Sequence, residues 1–225
     1  VFNWFWFKEK VNKKDSKNLG KFTLMALASA ISIPVSHILI RNYLTDTLSI
    51  DAAGLWTGMW RISEAYLMIV TATLTVYYLP KLSSLKNQHS IKQEIKNGQK
   101  IILPLVVVSA LAIFFLRDWI IWLLFNDGFS EMRQLFAFQL LGDFIKISSW
   151  LYAYMMLAKA KVSVFVVSEI LMSILFVVFT MLFVDRYGLI GVSYAFALNY
   201  TVYLLFIMVW FYTNCQKGTF DELPT

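Results

Sequence analysis

A single cysteine, Cys215, excludes an intrachain disulfide in this 225-residue sequence. Charge is equally scarce. Asp, Glu, Lys and Arg make up 15% of the residues, against roughly 25% in soluble domains. Two histidines, far apart and with no cysteine nearby, offer no metal-ligand spacing. A Gly-rich phosphate loop and a nucleophile elbow are also missing, so the common phosphate-binding and acyl-transfer motifs are excluded. What fills the sequence instead is hydrophobic: 59% of residues, 17% aromatic, with a mean hydropathy of +0.63. Such a chain has lipid as its main solvent.

Six apolar runs meet the ~20-residue length of a bilayer crossing. They lie near Phe22–Tyr43, Leu55–Leu79, Ile101–Phe125, Gln134–Leu157, Val162–Val184 and Ile190–Tyr212. The sequence thus predicts an all-α polytopic bundle over residues 22–212. Residues 1–21 read as the end of a preceding membrane helix, VFNWFWF, and a basic linker. Residues 213–225 read as a polar tail. This start predicts that the chain is the C-terminal part of a larger protein.

The net charge of +6 does not point to nucleic acid, because the lysines are spread over short connectors. Lysines cluster in 8–21, in 81–100, at Lys159 and Lys161, and at Lys217. The alternate connectors carry Arg41, Arg133 and Arg186 beside several carboxylates. That alternation predicts cytoplasmic placement of the lysine-rich side and of both ends. Within the 80–100 connector, SIKQEIKNGQKI admits two readings, an interfacial helix on anionic lipid or a solvated linker.

The fourth run, QLFAFQLLGDFIKISSWLYAYMML, holds Asp143 and Lys146. A charge near the bilayer centre costs about 2.5–3.5 kcal/mol on insertion scales. Two readings stay open. The pair neutralises itself at i, i+3, or it faces a hydrated path or a charged cargo. Gln139, Asp143, Lys146, Trp150 and Ala153 share one helix face, and so do Arg61, Glu64, Met68, Thr71, Thr75 and Tyr78. The other runs add Ser29, Ser32 and Ser36; Glu169, Ser173 and Thr180; and Ser193, Tyr200 and Tyr203 beside Asn199. By helical rise, Arg61, Glu64, Asp143 and Lys146 lie roughly 10–18 Å below the outer boundary. Arg117 and Asp118 come to a similar level. Local pairing explains each couple singly. The shared depth and the continuous polar faces predict a hydrated cavity. For the serine stripe, close helix packing is an equal alternative.

FSEMRQLFAFQLLGDFIKISSWLYAYMMLAKAK, Phe129 to Lys161, resembles the O-antigen and enterobacterial common antigen flippases of the multidrug/oligosaccharidyl-lipid/polysaccharide exporter superfamily. GLWTGMWRISEAYL and RDWIIWLLF are similar to further stretches of that family. The resemblance implies one lobe of a two-lobe transporter in the bacterial inner membrane. It implies a cargo of undecaprenyl-diphosphate-linked oligosaccharide, alternating access, a coupling cation or proton, and glycan polymerase and chain-length proteins as partners. Under that resemblance Lys146, Arg61 and Arg117 are cationic cargo contacts. Trp150, Tyr200 and Tyr203, with Trp60, suit sugar stacking. Asp143, Glu64 and Glu169 become coupling groups or counter-ions. No cofactor or metal is implied. A drug exporter of the same superfamily would want acids to dominate the cavity, and a glycan polymerase or ligase would want a large outer loop.

Overall fold

The computed structural model describes residues 13–216. The VFNWFWF cluster, the first lysines, Lys217 and the rest of the tail lie outside them. The described residues contain helices and no strand. They are α1 (Lys13–Thr47), α2 (Ile50–Thr73), α3 (Leu79–Ser84), α4 (Gln88–Leu124), α5 (Phe136–Ala158), α6 (Val162–Tyr187) and α7 (Ile190–Gln216). A π-helical turn, Leu74–Tyr78, joins α2 to α3, so that 50–84 crosses as one rod. A 3-10 stretch, Asp127–Leu135, leads into α5. The chain is an all-α polytopic bundle.

Five of the helical rods are long and apolar enough to cross a membrane. The sixth, α5, is not among them, and Gln139, Asp143, Lys146, Ser148 and Ser149 interrupt its apolar run. Its 23 residues still span ~34 Å at 1.5 Å per residue. It tolerates the polar groups because its neighbours, not lipid, cover it: Gln139, Asp143, Ser148 and Ser149 are all buried.

Helix ends follow local chemistry. Ser49 caps α2 by accepting from the Ala52 amide at 3.0 Å, and Asn87 caps α4 by accepting from the His89 amide at 2.9 Å. Gly188, at φ 64°, ends α6 in a conformation that glycine adopts without strain. At the other side of the bundle the LAKAK segment closes α5. Ala160 turns at φ 47°, and the Lys161 amide reaches back to the Met156 carbonyl at 2.8 Å.

Two sequence expectations change. The basic linker 1–21 is helical from Lys13 onward; no proline interrupts Lys13 to Phe22, and the helix runs through Gly20. The 80–100 connector is mostly helix, and its apolar face is covered by protein. Only the 85–87 turn is non-helical, and Ile91 and Ile95 are buried in the protein core. The four-residue spacing of the two isoleucines marks packing against protein.

Contacts run from α1 to α2, α2 to α5, α5 to α7, α7 to α6 and α6 back to α1. These five form a ring. α4 packs outside it, against α5. α5 and α7 pack closely where Gly142 leaves room for Phe196. A Cβ at 142 would run into the Phe196 ring. The apolar interior divides into two clusters. One holds Leu67, Ile147, Leu151, Tyr203 and Ile207, the other Met59, Ile62, Phe136, Leu140 and Phe196. On each ring helix the polar residues fall between them: Ser29 to His37, Ser63 and Glu64, Asp143 and Lys146, Glu169, and Asn199. The bundle therefore has a polar waist.

Candidate functional site

At the waist the ring helices surround a cavity of about 600 Å³. α1 contributes Ser36 and His37. α2 contributes Trp60, Glu64, Met68 and Thr71. α5 contributes Lys146, Trp150 and Tyr154. α6 contributes Glu169 and Ser173, and α7 contributes Phe196, Asn199, Tyr200 and Tyr203. The helical periods explain the selection: Glu64, Met68 and Thr71 are one face of α2, and Lys146, Trp150 and Tyr154 are one face of α5.

Asp143 and Lys146 are not an ion pair among the described residues. They point to different neighbours. Asp143 is 1% exposed, and its Oδ2 accepts from the Tyr66 hydroxyl at 3.0 Å. Lys146 instead turns its ammonium into the cavity. Its Nζ lies 4.9 Å from the Trp150 ring centre, 5.3 Å from Trp60 and 5.7 Å from Tyr200. Each ring face attracts a cation at that range, worth about 0.5–2 kcal/mol depending on desolvation. The couple is therefore not closed by a direct ion pair.

The other predicted residues divide. Glu169 accepts from Ser29 at 3.1 Å, which ties α1 to α6. Glu64 pairs with Arg61 at 3.6 Å, both side chains being more than half exposed. Arg61 does not line the main cavity. It lines a smaller one of about 210 Å³ with His37, Arg41 and Trp56, and Glu64 touches both. Arg117 lies apart. It is on α4, outside the ring, where it donates to the Phe114 carbonyl at 2.9 Å and stacks 4.3 Å from the Phe114 ring. Asp118 faces Arg133 at 2.6 Å. Equal depth did not bring Arg117 to the waist, because depth does not say which helix faces inward.

The stripes are only partly cavity wall. On α2 the upper members, Glu64 to Thr71, line it. The lower ones bind α5: the Thr75 and Tyr154 hydroxyls meet at 3.1 Å, and Tyr78 donates to the Leu151 carbonyl at 3.0 Å. The serine stripe serves both of its readings, since Ser36 lines the cavity while Ser29 links two helices. His37 was set aside in the sequence for want of a ligand partner. It packs on Trp60 at 4.1 Å and on Trp56 at 5.5 Å. Its position one residue beyond Ser36 was the available signal. Tyr66 had none, being off the α2 stripe. Among the described residues no cluster could hold a metal ion.

The charge count also changes. By depth in the sequence, Arg61, Lys146 and Arg117 stand against Glu64, Asp143 and Asp118, as many bases as acids. The main cavity wall carries Lys146 against Glu64 and Glu169. Arg61 compensates Glu64 from the rim.

No family model matches the chain, and no solved structure does. Curated proteins do match. The chain is 38% identical over 185 residues to the lipid III flippase of Escherichia coli strain K12, and equally to that of Shigella flexneri. The match is to proteins named as flippases of lipid III. It covers 82% of this chain and 44% of each relative, so the chain spans less than half their length. The waist itself is a cavity with charged and aromatic walls.

Proposed function

We propose that the chain is the second lobe of a flippase that carries undecaprenyl-diphosphate-linked oligosaccharide, of O-antigen or enterobacterial common antigen type, from the cytoplasmic to the periplasmic leaflet of the bacterial inner membrane. The observation that carries this reading is a lone ammonium, Lys146, set in an aromatic wall inside a membrane-embedded cavity, in a chain similar to lipid III flippases. An ammonium in a low-dielectric site attracts a phosphate strongly. Ring faces stack on sugars. Alternating access then exposes the waist to one leaflet at a time. A cation or proton is the coupling species, and Asp143, Glu64 and Glu169 are the groups to carry it. The lysine-rich connectors lie in the cytoplasm. Glycan polymerase and chain-length proteins act on the same glycan.

The test is complementation of a flippase-deleted strain with the full-length protein. Lys146→Ala removes a charge-assisted contact of about 1.5–3 kcal/mol, so surface glycan should fall about tenfold or more while the protein still inserts. Full export by the variant removes Lys146 from the mechanism. The two carboxylates on the cavity wall favour one other reading, a cation-coupled drug exporter. Loss of resistance to cationic drugs, with normal surface glycan, would support that reading instead.

A further inference from the structure

The surroundings of Lys146 are more specific than a charged wall. Rings from three helices face one ammonium: Trp60 from α2, Trp150 from α5 and Tyr200 from α7, all within 5.7 Å of Nζ. The box is braced from behind. Phe196 packs edge-on against Trp60 at 5.4 Å and against Tyr200 at 4.9 Å, and His37 holds the other flank of Trp60 at 4.1 Å. Among the described residues, Lys146 Nζ has neither a hydrogen bond nor an ion pair, although Asp143 stands one helical turn away and Glu64 and Glu169 share its cavity. A carboxylate in contact would compete with any anion for the ammonium. Ring faces attract the cation without occupying it with a counter-charge, and they leave one side of Nζ open to the cavity.

We propose that Trp60, Trp150 and Tyr200 form an aromatic cation box whose built-in occupant is Lys146. They are positioning residues, which hold the ammonium unpaired at the waist for an anionic group of the cargo. The part that concerns cargo rests on the function proposed above; the box itself does not.

The box can be tested without transport. In full-length Lys146→Ala protein the box loses its occupant and should take a small primary ammonium ion from solution. Titration calorimetry with ethylammonium should show binding to Lys146→Ala. Binding to the unmodified protein, whose own lysine fills the box, should be about tenfold or more weaker. The same weakening should follow when Trp150→Leu is added to Lys146→Ala, whereas Trp150→Phe, which keeps a ring face, should retain binding. Equal binding by all four proteins, or none by Lys146→Ala, overturns the box. Reconstituted into vesicles holding a lipid-linked oligosaccharide, the Lys146→Ala protein should regain part of its glycan transfer when ethylammonium is added. The double variant that also carries Trp150→Leu should not. Ethylammonium binding without any transfer, even by the unmodified protein, would keep the box and sink the transport reading.

Discussion

The Tyr66 hydroxyl donates to Asp143 Oδ2 at 3.0 Å, joining α2 to α5 beneath the cavity. This bond, not an ion pair with Lys146, is the hydrogen bond that the buried carboxylate receives among the described residues; its Oδ1 has none. Tyr66→Phe deletes the donor and leaves the carboxylate buried without it. Measured side-chain bonds between membrane helices are worth about 0.6–2 kcal/mol; an unmatched buried group costs about 1–3. Thermal unfolding in detergent should register a loss in that range. A double-mutant cycle with Asp143→Asn isolates the bond. A coupling energy of zero between the two positions would mean that the contact does not hold the helices.

Gly142 predicts a second, purely steric effect. Any Cβ at this position meets the Phe196 ring and lies 3.3 Å from the Ala197 Cα, so α5 and α7 must separate. Gly142→Ala should cost about 1–3 kcal/mol by overpacking. Phe196→Ala made in the Gly142→Ala background should return part of that loss, since it removes the ring but not the Ala197 backbone. Unfolding midpoints of the single and double variants decide the matter. Strict additivity would place the strain elsewhere.

Much of this was legible from periodicity. The five helices long and apolar enough to cross a membrane, the odd polarity of α5, and the faces of α2 and α5 that carry Glu64 and Lys146 all follow from sequence pattern alone. The neighbours across helices did not follow. Tyr66 is 77 positions from Asp143, and a helical repeat says which residues share a face, never what that face meets. Arg117 shows the same limit. Its depth matched the waist, but α4 lies outside the ring, and the uniformly apolar centre of that run was the cue. Ile91 and Ile95 looked like a lipid-facing stripe because burial in protein and burial in lipid select the same residues.

The cavity makes a hydration prediction. Ser173 lines it, whereas Thr180, two turns further along α6, is fully buried. With Cys215 replaced by Ala, a cysteine at 173 should react with a membrane-impermeant thiol reagent, and one at 180 should not. Asp143→Cys should also stay unlabelled, because that side chain packs beneath the cavity wall. Labelling at 180 as strong as at 173 would mean that the reagent reports general loosening and not a water-filled waist.

Exchanging the couple, Asp143→Lys with Lys146→Asp, separates charge balance from position. Net charge and spacing are unchanged. The surroundings are not. A lysine at 143 would sit beside the Tyr66 hydroxyl with no ring face, and an aspartate at 146 would face Trp60, Trp150 and Tyr200, whose electron-rich faces repel an anion. Two buried charges would each be wrongly solvated, at a cost of about 3–5 kcal/mol for an uncompensated one. The exchanged full-length protein should therefore unfold at a lower temperature than the original, and surface glycan in a flippase-deleted strain should be lost. Normal stability with normal glycan would mean that the two residues only cancel each other's charge, against the separate environments that Tyr66 and the aromatic rings give them.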